Sequence, residues 1–358
     1  MTTPPIHQPI RAPIRTGIIG FGLAGRVFHA GLIRAVPELA LTAIATSRKD
    51  EVAALDPAIR PVADPQALIA DPDIDLVVIA SPTGTHADLA RAALLAGKHV
   101  VVDKPFTLTL AEARALADLA RDTQLTLTVF HNRRWDSCFL TVRQAIEDGV
   151  IGRVTRFSSC FNRFRPQIRD RWREDGSPGS GLLYDLAPHL VDQALVLFGQ
   201  PQAVSADIAI LREGGAADDE VAITLHYLKL RVQLGASMNT PDASGGGLPR
   251  FAVDGTQGRL VKRLLDQQET QLVSGMHPGD AGWGEDADPL VIHDAQGLAT
   301  NRPAITGRQE TFYAQLAAFL QGAAPTPVAL DEAVAVQAVI EAAQISAREG
   351  RVVALPLP

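Results

Sequence analysis

A chain of 358 residues is too long for one ordinary core and points to about two domains. Its 46% hydrophobic and 20% charged content is that of a globular protein, and a formal net charge of −7 with no local run of Lys or Arg argues against nucleic acid as a partner. No stretch reaches the roughly 18 apolar residues that span a bilayer.

The proline-containing Met1–Pro13 has no apolar stretch of the kind a secretory signal needs and reads as a loose tail. The apolar run Ile14 to Ile19 then leads into GFGLAG, Gly20 to Gly25. Apolar residues at helical spacing follow from Ala24 to Val36, Pro37 stops them, and a second apolar run spans Leu39 to Ala45. Strand, glycine turn, helix and strand form the βαβ unit of a dinucleotide site. Glycine alone takes the strained turn dihedrals and lets backbone approach a pyrophosphate, which then sits on the positive end of the helix. Gly20, Gly22, Leu23, Ala24 and Gly25 are the candidate contacts; in a chain with 29 glycines, a plain structural turn is the alternative.

Strands are expected at Ile14–Ile19, Leu39–Thr46, Leu76–Ala80, His99–Val102 and Leu125–Phe130, and helices at Arg26–Val36, Thr85–Ala96 and Leu110–Arg121. This alternation predicts a doubly wound parallel sheet covered by helices on both faces over residues 12–133. About 20 residues after the glycine turn, where an NAD site places an acid against the ribose, stand Ser47, Arg48 and Lys49 instead. A hydroxyl and two cations suit a 2′-phosphate, which favours NADP and leaves NAD open; a solvated helix start is the other reading. The strand at Leu76–Ala80 feeds Ser81, Pro82, Thr83, Gly84, Thr85 and His86, at the edge where open α/β sheets bind ligands. Thr85 can cap the next helix, and His86 sits either near the cofactor or in a structural role. His99–Val102 ends in Asp103, Lys104 and Pro105, which puts an amine within range of a nicotinamide and a substrate hydroxyl; a solvated lysine at a strand end is the bland reading, and the glycine motif upstream gives the triplet its meaning.

A helix over Ser137–Glu147 leads out of this domain, and beyond Ile151 strand patterns follow one another: Arg153–Phe164, Ala203–Leu211, Val221–Leu228 and Leu230–Ser237. Residues 134–358 are read as an α+β, mostly antiparallel second domain. Ser244–Gly247 and His277–Pro289 read as loops, and a last amphipathic helix spans Asp331–Glu349. Cys138 and Cys160 lack zinc or redox spacing and read as free thiols in a reducing, cytoplasmic compartment.

In the segment GSGLLYDLAPH, Asp185 and His189 are four apart and share a face if the segment is one helix. A carboxylate and an imidazole so placed can hold a hydroxyl and remove its proton, since histidine titrates near neutrality. A surface pair is the bland alternative, and a zinc site lacks a third ligand. The arginines 163, 165, 169, 171 and 173 either meet an anionic substrate or pair with acids such as Asp170, Glu174 and Asp175.

GFGLAG, SPTGTHADLARAALLAGKHVVVDKP and GLLYDLAPHLVDQAL together resemble the Gfo/Idh/MocA oxidoreductases over nearly the whole chain. FHNRRWDSCFLTV from Phe130 and FHA from Phe28 look like a subgroup of NADP-dependent inositol and sugar dehydrogenases. The resemblance implies a Rossmann domain followed by a domain built on a large, mostly antiparallel sheet, with a small-molecule sugar or polyol substrate, no metal, and a homodimer or homotetramer built through that C-terminal sheet. By it, Lys104 orients the reacting oxygen, Asp185 binds substrate and His189 transfers the proton. Trp172 and Arg173 match a pair that reaches the nicotinamide or substrate, and Asn132 and Arg133 stand in a strand-end turn near the same cleft. Asp103 replaces the more frequent glutamate, and Ala187 stands where glycine is common. A non-catalytic dinucleotide sensor of the same fold is the alternative; it has no need of Lys104, Asp185 and His189 together.

Overall fold

The computed structural model describes residues 9–241 and 247–357 and divides into two compact units. The first comprises the chain up to Asn132 with Gln268–Trp283 and Arg308–Val334; the second comprises Arg133–Gln267, Gly284–Gly307 and the chain from Ala335. A single cut after residue 133 does not carry the two late segments that return to the first unit. Their patterns say that they are helical or irregular, not which sheet they pack on.

In the first unit six parallel strands lie in the order β3-β2-β1-β4-β5-β6. They are β1 (Ile14–Ile19), β2 (Leu39–Ala45), β3 (Arg60–Val62), β4 (Leu76–Ile79), β5 (His99–Val102) and β6 (Leu127–Val129). Every residue of β4 and β5 is buried, as in a strand covered on both faces, which is why these strands read as unbroken apolar runs. The edge strand β3 escapes that signal: it is three residues long and holds Pro61, which has no N–H to offer a ladder. The helices are α1 (Ala30–Arg34), α2 (Lys49–Leu55), α3 (Pro65–Ile69), α4 (His86–Leu95) and α5 (Leu110–Asp122). Thr109 starts α5 with a capping box, its hydroxyl accepting the Glu112 N–H at 3.2 Å while Glu112 Oε2 accepts the Thr109 N–H at 3.0 Å.

The expected single helix Arg26–Val36 is a widened turn, Ala24–His29, followed by α1. The Ala30 N–H reaches back five residues to the Gly25 carbonyl, which adds one residue to the turn and redirects the side chains before it.

Among the described residues the second unit holds a nine-stranded sheet whose only parallel pair is β7 with β10. After α6 (Ser137–Glu147) come β7 (Val154–Asn162), α7 (Leu182–Asp185), α8 (Ala187–Phe198), β8 (Ala203–Ala209), β9 (Glu220–His226) and β10 (Arg231–Ser237). The hairpin β11 (Phe251–Gly255) and β12 (Gly258–Lys262), then β13 (Leu290–Asp294), β14 (Ala299–Arg302) and β15 (Val353–Ala354), complete the sheet. The sequence reading finds β7 to β10 but not these five. β13 and β14 are largely half-buried or exposed, so no apolar alternation marks them. The loop expected at 277–289 is present, while 244–246 of the loop expected at 244–247 lie outside the described residues. The final helix spans Leu330–Glu349.

Asp185 and His189 do not share one helix. Pro188 has no N–H for the Tyr184 carbonyl, the chain breaks at Leu186, and α8 restarts from there with the His189 N–H on the Leu186 carbonyl at 3.2 Å.

Among the described residues no helix is long and apolar enough to cross a membrane.

Candidate dinucleotide and substrate site

Register fixes the edge from which the first unit presents its groups. Ile19 lies opposite both Ala45 and Ile79, Ile79 opposite Val102, and Val102 opposite Val129. The turns that begin at Gly20, Thr46, Ala80, Asp103 and Phe130 therefore leave the parallel sheet together, at its carboxyl edge.

Gly20 holds a φ of +100°, and a Cβ there would stand 2.6 Å from the Ala80 carbonyl oxygen. At Gly25 a Cβ would fall on the Gly20 carbonyl. Gly22 is different: nothing lies within 4 Å of the place its Cβ would take. Two glycines let the turn pack against its own sheet, and the third keeps open a cradle that a pyrophosphate can approach. Leu23 and Ala24 carry the chain from this turn into the widened one. The residues present fit a dinucleotide.

Beyond β2, the Arg48 N–H donates to Thr46 Oγ1 at 3.1 Å and its guanidinium Nη1 donates to the Phe21 carbonyl at 3.4 Å. The structure thus brings Arg48 onto the glycine turn. Glu51 lies 3.8 Å from Arg48 and 4.0 Å from Arg26, between two cations, while Ser47 and Lys49 are exposed.

Thr85 does not cap α4 with its side chain: its hydroxyl donates to the Pro82 carbonyl at 2.8 Å and meets Ser81 Oγ at 2.6 Å. Thr83 is buried in the same turn. His86 is buried with Nε2 2.9 Å from the Ser81 carbonyl and Nδ1 2.9 Å from the Pro105 carbonyl, so it ties the Ser81–Thr83 turn to the one that carries Lys104. Burial pulls its pKa below the ordinary value, against the pull of Asp103 and of the carbonyls.

Asp103 Oδ1 accepts the Lys104 N–H at 2.8 Å. Burial pushes the Asp103 carboxyl up, but His29, Lys104 and His86 outweigh it and leave the group below the usual carboxylate range. Lys104 is half-buried at the edge. Asn132 spends its amide on Gln309, 2.9 Å away, whose own N–H donates to Gln268 Oε1 at 2.7 Å. His29, Tyr313 and Gln309 are additions to the sequence reading; FHA was quoted there only as a resemblance, and nothing marked the late helix Thr311–Leu320 as a neighbour of the strand ends.

In the second unit Trp172 and Arg173 lie on a short helical turn, Trp172–Glu174. Arg173 covers the Trp172 ring at 4.5 Å and its Nε donates to Asp185 Oδ1 at 3.2 Å, so three of the expected residues meet. His189 is buried one turn further on, in α8. Asp192 is taken by Arg134, whose guanidinium donates to its two oxygens at 2.7–3.2 Å.

What holds Trp172 and Arg173 is a buried charge network; the sequence reading offered pairing of Arg171 with Glu174 and did not name Arg212 or Asp219. Arg212 donates to Asp219 Oδ2 at 2.9 Å, to Glu174 Oε2 at 2.9 Å and to the Arg165 carbonyl at 3.1 Å. Glu174 also accepts Arg171 Nε at 2.6 Å. Burial raises the Glu174 carboxyl, and the Arg169 N–H, Arg171 and Arg212 bring it below its usual value. Asp218 caps α7, accepting the Leu183 N–H at 2.7 Å. Gly181, at φ +86°, is glycine because a Cβ would fall on that carboxylate. Burial, with Asp219 next to it, pushes the Asp218 carboxyl up to about 6 against its backbone hydrogen bonds. The Cys138 thiol is buried and pushed up to about 12, which leaves it inert at neutral pH.

Residues 14–131 match the model described as "Oxidoreductase family, NAD-binding Rossmann fold", and residues 143–355 match "Oxidoreductase family, C-terminal alpha/beta domain". The chain is 44% identical over 331 residues to the uncharacterized oxidoreductase YdgJ of Escherichia coli, covering 92% of this chain and 94% of that one. It is 36% identical over 347 residues to scyllo-inositol 2-dehydrogenase (NADP(+)) IolW of Bacillus subtilis, covering 96% of each. A crystal structure from Klebsiella pneumoniae, described as an oxidoreductase, superposes with a TM-score of 0.90 at 47% identity, covering 97% of this chain and 96% of that one.

Proposed function

The chain belongs to the Gfo/Idh/MocA family of NAD(P)-binding oxidoreductases, and on that premise we propose that it is an NADP-dependent dehydrogenase of cyclic polyols or sugars. It oxidises a secondary or hemiacetal alcohol and, in reverse, reduces the ketone or lactone. The observation that carries this reading is the common edge: the glycine turn, Arg48 and Lys104 leave the same carboxyl edge of one parallel sheet.

The nicotinamide, when bound, supplies the hydride-accepting carbon, which the protein need only align with the substrate. Gly20 to Gly25 bind the pyrophosphate. Ser47, Arg48 and Lys49 take the 2′-phosphate, with Arg48 already folded toward the turn. Ser81, Pro82 and Thr83 border the same edge. Asp185, aligned by Arg173, holds the substrate hydroxyl, His189 removes its proton, and the Lys104 ammonium stabilises the alkoxide as it forms. Support for a polyol and for NADP comes also from the Bacillus subtilis relative, whose name carries scyllo-inositol and NADP(+). Copies of the chain would pair through the nine-stranded sheet as a homodimer or homotetramer, which light scattering reads directly.

The test is NADP+ reduction over scyllo-inositol, myo-inositol and a panel of aldoses. One or more is turned over, and Lys104→Met and His189→Ala each lower that rate at least about a thousandfold while NADPH affinity stays within about twofold. Saturable NADPH binding with no turnover across the panel overturns the enzyme reading in favour of a sensor.

A further inference from the structure

Behind Lys104 runs a buried line of polar groups, all within the first unit. The widened turn Ala24–His29 sends His29 inward, where its Nδ1 lies 2.6 Å from the Tyr313 hydroxyl and its Nε2 lies 3.8 Å from Asp103 Oδ1. His29 and Tyr313 are both 0% exposed. The Phe130 ring, 4.3 Å from the imidazole centroid, fixes the plane of His29 from one side.

The proton positions follow from chemistry. Burial, with Asp103 nearby, pushes Tyr313 ionisation well above the ordinary value, so its phenol stays neutral and is a donor. An imidazole nitrogen that receives a phenol proton in a hydrogen bond is the unprotonated one, which leaves the ring N–H on Nε2, the nitrogen facing Asp103. Among the described residues Nε2 has no hydrogen-bond partner, and at 3.8 Å the contact with Asp103 is electrostatic rather than a hydrogen bond. A carboxylate buried in this way needs such partners to remain where it is and charged. On its other side the same oxygen receives the Lys104 N–H.

We infer that His29, oriented by Tyr313, is a positioning residue: it holds the Asp103 carboxylate in the place from which that group fixes Lys104. The inference rests on the reading of Lys104 as the amine that meets the reacting oxygen. The charged and titratable groups around Asp103 are His29, Lys104, His86 and Tyr313. Of these, His29 and Tyr313 have no place in the proposed reaction or in dinucleotide binding.

Three variants separate position from packing. His29→Leu removes the N–H, His29→Gln returns one of similar reach, and Tyr313→Phe deletes only the hydroxyl. With NADP+ and the polyol panel, turnover falls at least about tenfold in His29→Leu and about three- to tenfold in Tyr313→Phe, with NADPH affinity within about twofold. His29→Gln recovers at least about a third of the rate. A second readout needs no substrate. Lys104 is labelled with pyridoxal 5′-phosphate and borohydride at fixed pH and its peptide quantified by mass spectrometry. Releasing the Lys104 main-chain N–H from the Asp103 carboxylate moves the amine that is labelled, so labelling in His29→Leu and in Tyr313→Phe changes at least about threefold.

Unchanged turnover and unchanged labelling in Tyr313→Phe and His29→Leu overturn the inference. So does a loss of turnover matched by lost NADPH binding and not rescued by His29→Gln, the signature of a packing role. Normal turnover in Lys104→Met overturns the underlying reading instead, and the labelling of Lys104 still decides whether His29 positions it.

Discussion

In the first unit, the glycine turn, the Ser81–Thr83 turn and the Asp103–Lys104 turn leave strands in parallel register, and main-chain geometry sets most of what they present. In the second, Trp172, Arg173 and Glu174 hang on a segment held from a distance by Arg212, which lies beyond β8 and joins Glu174 to Asp219. One half is built by backbone and packing, the other by buried charge pairs. Backbone geometry tolerates no added atom at its tight points; charge pairs tolerate added atoms but not a missing partner or a shift in pH.

The sharpest way to break this comparison is a single methyl group. Gly20→Ala meets the Ala80 main chain at a φ of +100° and is expected to cost about 3–5 kcal/mol, or to prevent folding, as read by urea unfolding. A stable Gly20→Ala protein with normal NADPH affinity would show that the turn is not set by backbone. Arg212→Met leaves Glu174 and Asp219 buried without their shared cation, at a cost of about 3 kcal/mol. Its turnover falls further than its NADPH affinity, because Arg173 loses its anchor.

Arg48→Ala sharpens the cofactor side. NADPH is expected to bind about tenfold more weakly and NADH within about twofold of the original, by fluorescence titration, a difference of about 1.4 kcal/mol. Equal weakening of the two refutes the 2′-phosphate role.

The smallest expected effect is pH-dependent. A carboxyl raised to about 6 in the folded state binds a proton there that the unfolded chain releases near pH 4, so its contribution to stability falls as pH rises between those values. Asp218→Asn removes that dependence while keeping an acceptor for the Leu183 N–H. Its Tm should exceed the original by a few degrees at pH 7.5 and by nothing at pH 4. Glu174 runs the other way: its lowered pKa contributes stability above the ordinary carboxylate value, which is lost as pH falls through the folded one.

The same contrast explains what was legible in the sequence. β1 and β5 match their expected bounds, and so does α6, because continuous apolar runs and helical spacing are local signals. The glycines announced the turn for the same reason. Local patterns did not report the i→i−5 turn before α1, the break at Leu186, or the short, largely half-buried or exposed strands β13 and β14. They were silent also on Arg212, whose partners lie between Arg165 and Asp219, and on Tyr313, 284 positions from His29. Asp103 and Lys104 were singled out by their place at a strand end; what stands behind them came from a helix with no chemical signature.

The turn Ala24–His29 also limits how chain length can vary here. Deleting one residue would close it to an ordinary helical turn and swing everything on one side by about 100° about the helix axis. The Gly20 main chain is clamped between Ala45 and Ala80 and cannot follow. The buried imidazole would then leave Tyr313, so the nucleotide loop and the ring behind the lysine are tied to the same extra residue, and a shorter chain keeps one only by giving up the other.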